Sequence, residues 1–369
     1  MVKILAARLI GLQVAAVCNF CSLPIASTRH RLRLRGGFSA EHLRMANSGS
    51  EAKKRIGTHD GTFHCDEVMA CWMLHQTKEF AGAQIVRTRD VKTLSEMDIV
   101  VDVGAVFDPS SHRYDHHQKT FTDTFDEKHV TTKLSSAGLI YKYFGREILQ
   151  NIVKNVEIDY DKLYYLIYDN FIEEIDAVDN GVECYPADAV PKYKVSTMLG
   201  QRVGRLNPSW NDQGKKPDEQ FQKAMQIVGD EMESIVEYYA KAFLPARSIV
   251  YAAISSRLDY HPSGKIMVLK TACPWKDHLF EIEQELQANL IYAVYEDQGG
   301  SWRVQAVPER PNSFLSRKPL PEAWRGVRDQ ALSDLTGVEG CIFVHATGFI
   351  GGANTQEGAM KLAEMALEI

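Results

Sequence analysis

Histidine and aspartate residues concentrate at three places in the first third of the chain. The clusters contain His59, His64 and Asp66, then Asp102, then Asp115, His116 and His117. Imidazole and carboxylate groups together suit Mn²⁺, Mg²⁺ or a similar ion, and the near absence of cysteine among them disfavours structural zinc. The clusters therefore predict a divalent-metal site that acts on phosphate groups.

Asp102 is the strongest single candidate because it follows the apolar run 99–101, which is typical of a buried strand. A carboxylate at the end of a buried strand loses hydration, and a metal ion compensates that loss. The same position is where open α/β sheets bind their ligands. Histidine and aspartate are also good turn and N-cap residues, but three clusters in this order favour the metal site.

The acidic helix end 173–181 offers a further carboxylate. Asp176 and Asp179 are three residues apart, so both can lie on the same side of a helix. The alternative is a solvated helix terminus that ends at Gly181. The sequence leaves open which of the two aspartates is a ligand.

A predicted helix start lies soon after the third cluster and contains Lys133, Ser135 and Ser136. Free N–H groups beside a lysine suit a phosphate, although a plain serine N-cap is equally consistent.

A second candidate substrate contact lies near the C-terminus and consists of His345, Gly351 and Gly352. Glycines after a strand let the backbone approach a ligand closely, and a tight turn is the alternative. The basic and aromatic stretch 317–328 suits a single strand of nucleic acid, though solvated surface charge is the commoner explanation.

These residues need a sheet edge to bring them together, and the chain supplies a suitable pattern. Strands are predicted at 56–58, 85–86 and 99–103, and helices at 68–74, 134–149 and 163–178. Strands that alternate with helices predict an α/β fold with a parallel sheet and helices on both faces.

The remainder predicts a connecting helix and a smaller, strand-rich α/β domain. Residues 207–217 have a linker composition, and the apolar stripe after them predicts a core-facing helix that ends at Pro245. Strands are predicted at 248–254, 265–269, 290–295, 302–307 and 341–345, with a last helix from Gln356. The predicted segments are 1–50 for targeting, 51–206 for the metal-binding domain, 207–246 for the linker and connecting helix, and 247–369 for the substrate-binding domain.

The first 50 residues differ from the rest in charge. They contain seven Lys or Arg residues and one acid, whereas the whole 369-residue chain has a formal net charge of −6. An Arg-rich, acid-poor start predicts a mitochondrial transit peptide over a secretory signal, and the basic run 29–35 also suits a nuclear address. The acidic remainder will not attract nucleic acid by its general field, and no segment predicts a membrane span.

Several motifs together resemble the DHH phosphoesterase superfamily, and more closely its melanocyte-proliferating-gene family of 3′–5′ RNA exonucleases. The segments that carry the resemblance are 57–67, 100–104, 113–118, 132–138, 177–181 and 343–346. The resemblance covers the chain from about Arg55 to its end.

The resemblance implies a two-lobe enzyme with two Mn²⁺ or Mg²⁺ ions and a single-stranded RNA substrate, located in the mitochondrial matrix with the nucleus or nucleolus as a second destination. It implies that one ion is held by His59, His64 and Asp102, and the other by Asp66, Asp102, His116 and Asp176. It further implies that His117 faces the phosphate and that Asp115 orients the histidines.

Two departures from the superfamily pattern stand out. The first motif is one residue longer and has His64 where a carboxylate is usual, which leaves Asp60 as a further possible ligand. Ala353 follows Gly351 and Gly352 where the superfamily tends to have histidine.

The same residues are consistent with two other functions. One is a small-molecule phosphohydrolase that cleaves pyrophosphate or a dinucleotide, and the other is a non-catalytic scaffold. The complete ligand set argues against the scaffold, and the sequence makes no prediction of the oligomeric state.

Overall fold

The structure is a computed structural model that describes residues 53–186, 188–190, 192–212 and 214–369. The predicted targeting segment lies outside the described residues. Within the described part of the chain, no helix is both long and apolar enough to cross a membrane.

The first sheet carries the predicted metal ligands. Its strands are β1 (Arg55–Thr58), β2 (Gln84–Arg87), β3 (Ile99–Val101), β4 (Phe107–Asp108) and β5 (Arg113–Tyr114), in the order β2-β1-β3-β5-β4. All neighbours are parallel except β4 and β5. The predicted parallel sheet is therefore confirmed, with one antiparallel edge strand that the sequence did not reveal.

Helices pack around this sheet. They are α1 (Cys65–His75), α2 (Val91–Ser95), α3 (Ser136–Ile152), α4 (Tyr160–Ile167), α5 (Glu173–Asp179), α6 (Leu199–Gly204) and α7 (Pro217–Tyr238). Helix α1 is buried from Cys65 to Leu74 because it packs between α3 and α7, and a helix that is apolar on all sides needs such a position. The predicted apolar stripe on α7 is confirmed, since Phe221, Val228 and Met232 are buried.

Helix α7 does not stop at Pro245 as predicted. It continues through a π-helical segment, Tyr239–Phe243, into α8 (Leu244–Ser255). Pro245 lies in the first turn of α8, where its missing N–H costs little. The predicted strand at 248–254 is wrong, because Val250, Ala253 and Ile254 follow helical spacing and bury one face of α8.

The second sheet consists of β6 (Ile266–Leu269), β7 (Tyr292–Glu296), β8 (Trp302–Ala306), β9 (Cys341–Val344) and β10 (Ile350–Ala353), in the order β6-β7-β8-β10-β9. Its helices are α9 (Arg257–Tyr260), α10 (Lys276–Leu286), α11 (Asp329–Thr336) and α12 (Gln356–Glu368). Only β6 and β7 are parallel. Four predicted strands and the last helix are confirmed, and the mixed α/β architecture with them, while the domain boundaries stay predictions.

Candidate metal centre

Three neighbouring strands of the first sheet end at one edge, and each is followed by predicted metal ligands. His59 follows β1, Asp102 follows β3, and Asp115 follows β5. The strands run in the same direction, with Gly57 paired to Val100 and Val101 paired to Tyr114. Because parallel strands share their carboxyl edge, the topology brings the three clusters together.

Asp102 lies at the centre of this edge. Its backbone has a φ of 58°, a left-handed conformation that costs most residues about 1 kcal/mol but that aspartate tolerates better. The side chain is only 5% exposed, and its Oδ1 is a buried atom with no hydrogen-bond partner among the described residues. A buried carboxylate oxygen without a partner is unfavourable unless a cation binds it.

His59 lies between two carboxylates. Its Nε2 is 3.3 Å from Asp102 Oδ2 and 3.1 Å from Glu67 Oε1, and its Nδ1 is 2.9 Å from the Asp60 carbonyl oxygen. If Nδ1–H donates to that carbonyl, Nε2 is left as the ligand nitrogen. Burial lowers the pKa of His59, but the two carboxylates outweigh it and raise the pKa to about 10.

Glu67 is a candidate ligand that the sequence reasoning did not select. It is fully buried, and potential ligand atoms of Glu67, His59 and His64 lie within 4.8 Å of one another. Its carboxylate also accepts a hydrogen bond from the His64 backbone N–H at 3.0 Å. Its place directly after Asp66 in the first turn of α1 was the available signal.

A second group of ligand atoms belongs to Asp66, His116 and Asp179, again within 4.8 Å of one another. His116 Nε2 is 3.0 Å from Asp179 Oδ2. His116 Nδ1 is 3.3 Å from the Ser136 hydroxyl, which itself donates to the Tyr114 carbonyl oxygen. His116 therefore donates through Nδ1 and offers Nε2 as a ligand.

Asp115 holds His117 in place. Asp115 Oδ1 accepts hydrogen bonds from the His117 ring Nδ1 at 2.7 Å and from its backbone N–H at 3.1 Å. Burial raises the pKa of Asp115, but these bonds and the Ala105 N–H outweigh it, so the pKa is lowered. The bond to Asp115 raises the pKa of His117, whose side chain is 60% exposed and lines the neighbouring cavity.

The donor set fits divalent cations. Its carboxylates belong to Asp66, Glu67, Asp102, Asp115 and Asp179, and in the described part of the chain none of them pairs with lysine or arginine. Several carboxylates packed together without lysine or arginine partners repel one another. Oxygen and imidazole ligands of this kind suit Mn²⁺ or Mg²⁺.

Asp176 is fully buried and lies among protein donors instead of in either group of ligand atoms. It accepts hydrogen bonds from the Ser135 N–H at 2.8 Å, the Ser135 hydroxyl at 2.7 Å and the Tyr168 hydroxyl at 3.0 Å. Burial raises its pKa to about 7. Of the two aspartates that the sequence left open, Asp179 is the one beside His116.

The N-terminus of α3 binds carboxylates of the protein itself. The Ser136 N–H donates to Asp66 at 3.1 Å, and the Ser135 hydroxyl oxygen, whose single proton is shared with Asp176, lies 2.5 Å from Asp66 Oδ1. Ser135 and Ser136 are fully buried, and Lys133 is exposed. None of these three predicted phosphate contacts is among the cavity-lining residues.

The predicted contacts near the C-terminus belong to the second sheet. Gly351 and Gly352 lie in β10, paired with β8 and β9, so they are strand residues and not a turn. His345 is exposed, and its Nδ1 is 3.0 Å from the Thr347 hydroxyl. In the stretch predicted to contact nucleic acid, Arg317 pairs with Glu283 at 2.8 Å and Trp324 is buried, so both have structural contacts.

The loop that carries His59 and His64 is fixed by residues distant in sequence. The Asn207 amide oxygen accepts the Phe63 N–H at 2.9 Å, and its amide nitrogen donates to the Phe63 carbonyl at 2.8 Å. Arg87 donates to the Gly61 carbonyl at 2.7 Å and lies over the Phe63 and Phe221 rings. The sequence offered no signal for these contacts.

A cavity of about 690 Å³ opens beside the candidate centre. Its polar lining includes His59, His64, Asp66, Asp102, His117 and Asp179. This volume is within the range of small-molecule sites, so the centre is accessible to a substrate of nucleotide size.

Comparison with protein families gives a match over nearly all of the described residues. Residues 55–367 match the MYG1 exonuclease family model, which is described as an uncharacterised protein family, UPF0160.

Curated relatives are similar along most of their length. The human MYG1 exonuclease is 47% identical over 353 residues, which is 93% of each chain. The mouse MYG1 exonuclease is 49% identical over 86% of this chain and 85% of its own, and a Dictyostelium discoideum MYG1 protein is 46% identical over 84% and 94%. Among solved structures, an exopolyphosphatase-related protein from Bacteroides fragilis aligns over 86% of this chain and 92% of its own, at 11% identity and a TM-score of 0.20, which is too low to carry an argument.

Proposed function

Because this chain belongs to the MYG1 exonuclease family, we propose that it is a nuclease that hydrolyses the phosphodiester bonds of single-stranded RNA from the 3′ end with the help of divalent metal ions. The observation that supports the proposal most directly is the buried, partnerless Oδ1 of Asp102 among imidazole and carboxylate groups. The relatives' name supports the nuclease reaction. The choice of RNA and the 3′–5′ direction are further parts of the proposal.

We assign the ligands to two Mn²⁺ or Mg²⁺ ions by their geometry. His59, His64 and Glu67 form one group, and Asp66, His116 and Asp179 form a second, while Asp102 belongs to a third with Asp115, His116 and His117. Asp102 lies between the first two groups, with Oδ2 near His59 and Oδ1 at 3.9 Å from His116 Nδ1. When bound, the ions polarise the phosphodiester and lower the pKa of the attacking water.

The chain's own residues orient the phosphate. His117 is exposed to the cavity, and Asp115 fixes its ring through Nδ1, so Nε2 is free to donate to a phosphate oxygen when the ring is protonated. Arg89 also lines the cavity and is largely exposed, with its Nε 3.3 Å from Asp60 Oδ1, and its remaining guanidinium N–H groups provide a second contact for the phosphate or for the charge of the next nucleotide.

A degradation assay with the full-length chain tests this function. Single-stranded RNA labelled at its 3′ or 5′ end would be incubated with Mn²⁺, Mg²⁺ or EDTA. The variants are Asp102→Asn and, as a matched control, Asp259→Asn on the exposed side of α9. We expect stepwise, metal-dependent shortening from the 3′ end that only Asp102→Asn abolishes.

Other outcomes distinguish the alternatives. Shortening from the 5′ end would contradict the proposed direction, and no degradation with any metal would contradict the nuclease. Turnover of pyrophosphate alone would identify a small-molecule phosphohydrolase.

We also propose a mitochondrial destination, with the nucleus as the alternative, on the basis of the basic, acid-poor residues 1–50. Fusion of this segment to a fluorescent protein tests the proposal. A diffuse cytoplasmic signal would contradict both destinations.

A further inference from the structure

One wall of the cavity beside the candidate centre is apolar. It is formed by Ile175 and Val178 of α5, and by Met198 and Leu199 at the start of α6. Val178 is 53% exposed, so this wall is not simply the surface of a closed core. An apolar surface open to solvent within a cavity is typical of a ligand-binding wall.

The apolar wall adjoins the candidate ligands directly. Val178 precedes Asp179, whose carboxylate lies 3.0 Å from His116 Nε2. His117 and Asp102 line the same cavity. A substrate whose phosphate binds at the centre therefore places a neighbouring chemical group against the apolar wall.

The size and chemistry of the cavity suit a nucleobase. A volume of about 690 Å³ can enclose one nucleotide. A base has two largely apolar faces and a polar edge. The wall provides apolar contacts for a face. Gln201 also lines the cavity, and its Nε2 donates to the Val195 carbonyl oxygen at 3.2 Å, which leaves its second amide N–H and its Oε1 for the edge.

Two glycines keep this end of the cavity open. A Cβ at Gly200 would lie 3.8 Å from the Cβ of Cys65, and a Cβ at Gly204 would have nothing within 4 Å. Both glycines and Cys65 line the cavity. The free space beside the wall is therefore maintained by missing side chains.

We infer that the apolar wall formed by Ile175, Val178, Met198 and Leu199 binds a nucleobase of the substrate, so that the chain selects phosphate esters of base-bearing nucleosides. The inference rests on the proposed function, which places the phosphate at the metal centre. It goes further by naming the nucleobase as the group that binds beside the phosphate.

Binding of AMP and of ribose 5-phosphate to the full-length chain tests the inference, because ribose 5-phosphate has a hydroxyl group at C1 where AMP carries the base. Calorimetric titration in Mn²⁺ should show at least about tenfold tighter binding of AMP. The double variant Met198→Ser, Leu199→Ser should lose most of this preference and keep its affinity for ribose 5-phosphate. Leu335→Ser is the matched control, since Leu335 is half-exposed on α11.

A second variant tests the same wall without removing apolar surface. Gly200→Leu should fill the space beside Cys65 and weaken AMP binding more than ribose 5-phosphate binding. Circular dichroism would show whether each variant is folded. If either the double serine variant or Gly200→Leu fails to fold, the remaining variant still tests the wall.

The outcomes separate this inference from the proposed function. Equal binding of the two ligands, no binding of AMP, or an unchanged preference in folded wall variants would overturn the inference. A nuclease that degrades RNA but shows no base preference would retain the proposed function alone. A base preference that depends on the wall, in a chain that degrades no RNA, would support the base site and contradict the nuclease.

Discussion

Asp102 combines two unfavourable features, a left-handed backbone and a buried carboxylate oxygen without a partner. Such a residue persists when the surrounding structure or a ligand compensates it. The neighbouring histidines reduce the cost only in part, since the distances from Oδ1 to their nitrogens are 3.5 and 3.9 Å. The residue is therefore better suited to the metal-bound state than to the metal-free state.

The substitution Asp102→Asn should have opposite effects on stability in the two states. In EDTA, the loss of one buried charge should leave the variant as stable as the wild type or more stable by about 1 kcal/mol, and asparagine tolerates the left-handed backbone. With excess Mn²⁺, the wild type gains stability by binding while the variant gains less. Thermal unfolding with and without metal measures both effects. If the same protein were the more stable one in EDTA and in Mn²⁺, the result would contradict the metal site at Asp102.

Substitution of Asp179 should change metal binding, whereas substitution of Asp176 should change the stability of the fold. Asp179→Asn should weaken Mn²⁺ binding at least about tenfold, because its carboxylate is the one beside His116. Asp176→Asn should instead destabilise the fold by about 2 kcal/mol, because an amide cannot accept all the bonds from Ser135 and Tyr168. Titration calorimetry and denaturant unfolding distinguish the two, and the reverse result would make Asp176 the ligand, as the family resemblance implies.

At the scale of elements, the site depends on a loop between β1 and α1 that is held from outside. Asn207 caps both backbone groups of Phe63, next to His64. Neither contact is local in sequence, so the ligand spacing in this loop is set by the packing of α6 and α7 against α1.

Asn207→Ala should therefore weaken metal binding without removing a ligand. Two buried backbone groups would lose their partner, at a cost of about 1–3 kcal/mol, and the loop with His59 and His64 would gain mobility. We expect faster amide exchange at 59–64 and a severalfold weaker affinity for Mn²⁺. Asn211→Ala, in the same exposed segment, should change neither, and unchanged exchange in Asn207→Ala would contradict the role of the loop contact.

A second element-level contact joins the loop before α3 to Asp169, in the π-helical segment Tyr168–Ile172 that follows α4. His129 is 2.7 Å from Asp126 and 2.8 Å from Asp169. Burial lowers the pKa of His129, but the two carboxylates outweigh it and raise the pKa above its ordinary value of 6.5. Because the folded-state pKa is raised, the stabilisation is complete below the unfolded value and is lost as the pH rises through the folded-state pKa.

The free energy of unfolding should therefore depend on pH in a way that His129→Gln removes. At about pH 6 the free energy of unfolding of the wild type should exceed that of the variant by at most about 1 kcal/mol, since the contact is partly solvated. This difference should shrink as the solution becomes alkaline. Urea unfolding of both proteins across this range measures it. A difference that grows with pH would have the wrong sign for this contact.

At the scale of the whole molecule, the sequence predicted what depends on local pattern. The strands β1 and β3, the apolar helix α1 and the final helix α12 followed from periodicity and from residue type. The short strands β4 and β5 are two residues each and exist only through pairing with β3 and each other. The segment 248–254 combined β-branched residues with helical spacing, and its packing against α10 and β6 determined the outcome.

The candidate centre also contains residues that follow from local sequence pattern and residues that do not. His59, Asp102 and His116 were predictable because their types and order follow the strand ends. Glu67, Asn207 and the hydrogen bonds that occupy Asp176 depend on three-dimensional contacts between residues up to 144 positions apart. Such contacts have no signature in a single sequence.

The charge distribution gives a last prediction about RNA affinity. Residues 1–50 carry seven basic residues and one acid, while the whole chain has a net charge of −6. The acidic remainder repels the RNA backbone, so its affinity for RNA should depend on the bound ions more than on released counterions. RNA binding of a chain that starts at residue 51 should therefore respond weakly to salt and be lost in EDTA.

The full-length chain should behave differently. Each basic side chain that contacts a phosphate adds about 0.7 to the steepness of log affinity against log salt for single strands. The basic segment should therefore increase this slope severalfold over that of one contact. Its RNA binding should also persist in EDTA. Substitution of Arg29, Arg31, Arg33 and Arg35 by glutamine keeps the length and should remove most of this added slope. Filter binding at several salt concentrations measures all three proteins, and equal slopes would show that the segment contributes nothing to RNA affinity.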